Sequence, residues 1–157
     1  MTFQRTLFAP ISTLLLCLPW AGAAVHADTL SSYAVAQRQT VEVSAVERAH
    51  LLTEMNAFLG AINGINAALS SKDFEQVETL AKAMGPKGGH SDPVAKAVHD
   101  KLPSEWFALA KPTHQNFLAI ADEARNNPSV EAVLGKVAAT TQQCIACHSA
   151  FQLTVAP

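Results

Sequence analysis

Two thiols three positions apart and followed at once by an imidazole, Cys144-Ile145-Ala146-Cys147-His148, are the residues of this chain best suited to chemistry. Each sulfur can add to one vinyl group of a porphyrin, and the next residue can bind the iron, which is what covalent haem attachment requires. A bare C-x-x-C has other readings. A redox dithiol expects a strand-helix-strand pattern around it, and a structural zinc site expects a second pair of ligands at comparable spacing. The sequence offers neither, so one covalent haem c is expected, held by Cys144 and Cys147 with His148 on the iron.

The start of the chain agrees with that chemistry. Arg5 precedes an apolar run from Ile11 to Trp20, and small residues then lead to Val25-His26-Ala27 before Asp28. This is the pattern of a secretory signal peptide over residues 1–27, cleaved after Ala27, with an apolar core too short to span a bilayer. Cys17 follows Leu16, where lipoprotein processing needs a small side chain, so Cys17 is expected to leave with the leader. Haem attachment of this kind is completed outside the cytoplasm, and a periplasmic location follows. Loss of Arg5 reduces Lys plus Arg from 11 to 10 against 13 acidic residues, a net charge of −3. Nothing in that balance points to nucleic acid. Residues 28–157 suffice for one domain, and no second apolar stretch is long enough to anchor it in a membrane.

The elements that must position the motif read as helices throughout. Residues 28–40 form a polar, Ala-rich lead-in. From about Ser44 to Ser70 a stripe of Leu52, Met55, Leu59, Ile62 and Leu69, widened by Leu51, Phe58 and Ile65, predicts one long amphipathic helix. Gly60 and Gly64 weaken it by about 1 kcal/mol each and suggest a close helix crossing. Ser71 or Asp73 can cap a second segment that Gly85-Pro86 stops, and 87–90 is a surface connection. Asp92-Pro93 opens a short piece, and a third long helix runs from Pro103 to about Asn126 with Pro112 inside it. Ser129 starts the last helix, where Val130, Leu134, Val137, Thr141, Cys144, His148 and Phe151 step by four and three, placing the Cys144 thiol and the imidazole on one apolar seam. No strand pattern of useful length is present. The expected fold is all-α, an antiparallel four-helix bundle around a covalently bound haem.

Four helices with C-x-x-C-H in the last, an Arg on the first, and Leu102-Pro103-Ser104-Glu105-Trp106 opening the third resemble the class II c-type cytochromes, the family of cytochrome c prime and its low-spin relatives. The resemblance covers residues 28–157 and implies a periplasmic haem protein, often a homodimer, with His148 as proximal ligand. It also implies a haem propionate contact for Arg48. In many members the residue four positions after that Arg stands over the iron. Here that count gives Leu52, while Met55 lies one turn further on the same face. One departure is plain: members often carry Lys or Arg soon after the haem His, and Phe151-Gln152-Leu153-Thr154 offers neither.

Other residues have simpler readings. His114 is expected to be hydrogen-bonded locally rather than to act as a second imidazole ligand, and His50, His90 and His99 to be solvated. Trp106 reads as core, and Glu47, Glu54, Glu75 and Glu78 as exposed helix charges. No pair of carboxylates, nucleophile with base or phosphate loop appears, so no enzyme is expected. The expected function is a one-electron carrier between periplasmic redox partner proteins, with His148 and Met55 as axial ligands. The alternative is a five-coordinate haem with Leu52 over the iron, binding nitric oxide or carbon monoxide as a buffer or sensor.

Overall fold

The computed structural model describes residues 37–86 and 92–156. The leader expected over 1–27, most of the polar lead-in, and the connection 87–90 with His90 lie outside them. In chain order the elements are β1 (Gln39–Val43), α1 (Ala45–Ser70), α2 (Phe74–Lys82), α3 (Pro93–Lys101), α4 (Ser104–Asn126), α5 (Val130–Ala150) and β2 (Phe151–Val155). Helix dominates, as expected. The expectation of no strands is corrected, because β1 and β2 pair in parallel from Gln39 opposite Phe151 to Val43 opposite Val155. Each strand has only five residues, and in β1 only Val41 and Val43 are buried. A pattern that short is hard to tell from loop, and its partner lies more than a hundred residues away.

Side chains begin most of the helices. Ser44 and Glu47 form a reciprocal capping box at α1, Asp73 accepts from the Gln76 amide at α2, Asp92 accepts from the Val94 amide at α3, and Ser129 accepts from the Ala132 amide at α5. Each satisfies an amide that the first turn leaves without a helical partner. α4 starts after Pro103 without such a cap and continues through Pro112. A Cβ on Gly64 would lie 2.9 Å from Leu80 Cδ1, so α1 and α2 do cross closely there, whereas Gly60 faces open space.

The core divides into two clusters. One joins the second half of α1, α2, the second half of α4 and the start of α5, with Ile65, Val77, Phe117, Ile120 and Val133 fully buried. Phe58 stacks on Phe117 there at 5.5 Å between ring centroids. The other joins Val41, Val43, Leu51, Val98, Trp106 and Phe151, with Met55 and Cys147 packed against it. α4 packs on α2 and α5, and α3 on α1 and β1, while no extended contact joins α1 to α5. Among the described residues no helix is long and apolar enough to cross a membrane.

Three expectations on side-chain placement are corrected. Leu52 and Leu59 are exposed, and α1 buries Leu51 and Ile65 instead. On α5 the buried line is Val133, Val137 and Thr140, with Leu134 and His148 turned outward. Small residues such as Ala138 and Ala139 leave the phase of that stripe weakly specified, and contact with α4 decides it. Glu47 is buried rather than solvated, because its Oε2 accepts from the Ser44 amide and from Lys101 Nζ, both at 2.7 Å.

The Lys101 ammonium, helped by the Ser44 amide, holds the Glu47 carboxyl below its ordinary value of 4.5. A depressed carboxyl contributes stability that is complete above the unfolded-state value and is lost as pH falls through the native one. Stability measured by denaturant titration is therefore expected to decline as pH drops below about 4.5, the ordinary carboxylate value. Glu47→Gln should flatten that acid limb and leave the slope above neutrality unchanged.

Candidate cofactor site

A cleft of about 210 Å³ opens where α1 and α5 stand apart. Arg48, Leu52 and Met55 line it from α1, Cys147 and His148 from α5, Phe151 and Leu153 from β2, Trp106 from α4, and Arg38 from the segment before β1. Residues 48, 52 and 55 fall on one face of a helix because they are spaced by four and three. Cys147 and His148 reach the same cleft as neighbours in the last turn of α5. Five residues singled out in the sequence thus meet at one place.

Cys144 lies one turn earlier on α5, half-buried, with its Sγ 3.7 Å from the Thr140 carbonyl. Both thiols are free. Burial pushes the Cys144 thiol above its ordinary value, and burial followed by the neighbouring Cys144 does the same to Cys147. Both sulfurs are consequently neutral thiols near pH 7, with little thiolate to drive exchange chemistry.

Electrostatically the cleft is cationic at its rim. Arg38 Nη1 donates to the His148 carbonyl at 3.2 Å, across 110 residues of sequence. A guanidinium from just upstream of β1 is thus brought to the end of α5, a placement that only the β1-β2 pairing could have disclosed. Gln152 Nε2 donates to Thr40 Oγ1 at 2.9 Å and closes the same side. Trp106 is buried against Phe151, with ring centroids 5.2 Å apart, and forms the floor.

His114 is elsewhere: its Nδ1 is 2.8 Å from the Met84 carbonyl, a local hydrogen bond of the expected kind. His50 is not solvated but lies 3.8 Å from Glu54 and 3.7 Å from Asp92. His99 packs on the Phe107 ring at 4.6 Å.

The residues around the cleft fit a haem better than a bare ion. Among the described residues no three His, Cys, Asp or Glu side chains gather as a metal cage. What converges is one imidazole, one thioether, a thiol with another a turn away, two guanidinium groups and an apolar lining. A macrocycle that brings its own equatorial nitrogens needs only axial donors from the protein, and Arg matches the planar carboxylates of propionates.

Because Trp106 supports both the cleft and the strand pair, Trp106→Ala is expected to remove about 3–5 kcal/mol of stability, out of a typical total of roughly 5–15 kcal/mol. Urea unfolding of the variant checks this, and Trp106→Phe, which keeps an aromatic ring against Phe151, should lose less.

Comparison of the chain with protein-family models, curated proteins and solved structures finds no match.

Proposed function

We propose that this chain is a periplasmic c-type cytochrome of the four-helix class, a one-electron carrier with one haem c attached through Cys144 and Cys147. The observation that carries the reading is the meeting of His148 and Met55 at one cleft, beside a thiol of the C-x-x-C-H run. When bound, the haem supplies a metal centre that changes by one electron. The protein's residues do the rest. His148 and Met55 would hold the iron, and a His/Met pair would raise the reduction potential into a range useful for electron transfer. Met is a soft donor that also fills irregular apolar space. Arg48 and Arg38 would hold the propionates, while the buried Trp106 and Phe151 keep water from the floor of the cleft. In the antiparallel-bundle reading of the fold, α1, α2, α4 and α5 are the four helices, α3 is an addition between the second and third, and the haem fills the gap between first and last.

Covalent attachment has a direct check. Protein purified from a periplasmic fraction should be coloured, and extraction with acidified acetone should leave the colour with the polypeptide. A colourless protein, or one that yields its haem to the solvent, overturns the proposal.

Leu52 lines the same cleft as Met55, and this favours the gas-binding alternative as the second reading. Met55→Leu separates the two. With Met55 as ligand, the ferric variant loses the weak near-infrared sulfur-to-iron band, turns high-spin and gains affinity for carbon monoxide when reduced. A parent protein that is already high-spin, with a spectrum Met55→Leu leaves unchanged, assigns the position over the iron to Leu52.

A further inference from the structure

A larger cleft than the one at His148 lies between α1, α3 and α4, with a volume of about 660 Å³. That is within the range of roughly 300–1,000 Å³ typical of small-molecule sites. Neither thiol nor His148 lines it. Its walls are aromatic, with Phe58 from α1 and Trp106 and Phe107 from α4. Trp106 is common to both clefts.

The polar groups lining this cleft are the imidazoles of His50, His99 and His114, the carboxylates of Glu54 and Asp92, and the Trp106 and Lys111 donors, and the acceptor set among Phe58, Trp106 and Phe107 is His114. A carbonyl oxygen can only accept, so the 2.8 Å contact between His114 Nδ1 and the Met84 carbonyl fixes the proton on Nδ1. In the neutral ring Nε2 is then a lone pair, and it has no hydrogen-bond partner among the described residues. The Phe58 ring meets the imidazole edge-on at 5.1 Å and holds its orientation. Glu54 and Asp92 add carboxylates at the rim on either side of His50. Lys111 adds an exposed ammonium at the rim.

An aromatic-walled cleft whose half-buried polar atom is an acceptor selects a planar ring with a proton to give. A carboxylate ligand would face Glu54 and Asp92, and an ether or ketone would take the place of water at Nε2 without supplying the proton that nitrogen can accept, which costs affinity. We infer that this cleft binds a small uncharged phenol, its ring against Phe58 and Phe107 and its hydroxyl donating to His114 Nε2. The occupant shares the Trp106 wall with the residues around His148, so it lies next to the candidate cofactor site without touching its donors.

The test is calorimetric titration of the purified full-length protein with p-cresol and with 4-methylanisole, which has the same ring but no hydroxyl proton. Saturable binding of p-cresol is expected, with the ether about tenfold weaker. His114→Phe should bring p-cresol down to the level of the ether, and Ala110→Trp, which fills the cleft, should abolish binding of both while helicity by circular dichroism is retained. Equal affinity for the two probes, no binding of either, or p-cresol binding that survives Ala110→Trp would overturn the inference. The two-probe comparison on the unaltered protein decides even where a substitution disturbs folding. Heat is read rather than colour, so failure here is distinguishable from failure of the cytochrome reading.

Discussion

Parallel strands cannot be joined by a tight turn, so a parallel pair needs a crossover long enough to return the chain to its starting side. In this protein the crossover is the whole helical body, α1 to α5. The pairing of β1 with β2 fixes where α1 begins, because Ser44 caps that helix one residue after Val43. It also fixes where α5 ends, because Phe151 starts β2 directly after Ala150. The two helices that line the candidate cofactor cleft are thus tied together at one end by backbone hydrogen bonds rather than by side-chain packing. Val41, Val43, Phe151 and Trp106 bury the apolar face of that tie.

The division of the core follows from the same arrangement. At the far end, α1, α2, α4 and α5 close around Phe117 and Val133, and among the described residues no charged side chain is buried there. At the strand end α1 and α5 are held apart, so Leu52 remains at the surface and Met55 half-buried. α3 covers part of that end from the other side, held to α1 by Lys101 against Glu47 and by Asp92 near His50. One lobe therefore supplies packing and the other supplies a space whose walls are set by strand pairing and a few ionic contacts. Such a split lets binding surfaces be shaped without loosening the close-packed part of the fold.

Much of this was legible in the sequence. The helices announce themselves through caps, with Ser44, Asp73, Asp92 and Ser129 each placed where a side-chain oxygen is needed, and through prolines that mark starts. The motif Cys144 to His148 was legible from its spacing, whereas its meeting with the face bearing Arg48, Leu52 and Met55 was expected from the family resemblance. Spacing could not fix the phase of a helix rich in alanine, so Leu134 and His148 were expected on the buried side. It also could not see Arg38 or the burial of Glu47. Both depend on partners far away in sequence, the His148 carbonyl in one case and Lys101 in the other, and a strand of five residues carries too few alternations to reveal its partner.

The hydrogen bond from Arg38 to the His148 carbonyl has a consequence in time as well as in space. β1 emerges early and finds no partner until residues 151–155 have also emerged, more than a hundred positions later. Throughout that interval the His148 carbonyl is either not yet present or not yet bonded to the guanidinium. The clasp cannot close ahead of the segment it joins, so the strand pair and the Arg38 contact form only once Cys144, Cys147 and His148 are already in the chain. The strand that completes the closure begins three residues beyond the imidazole.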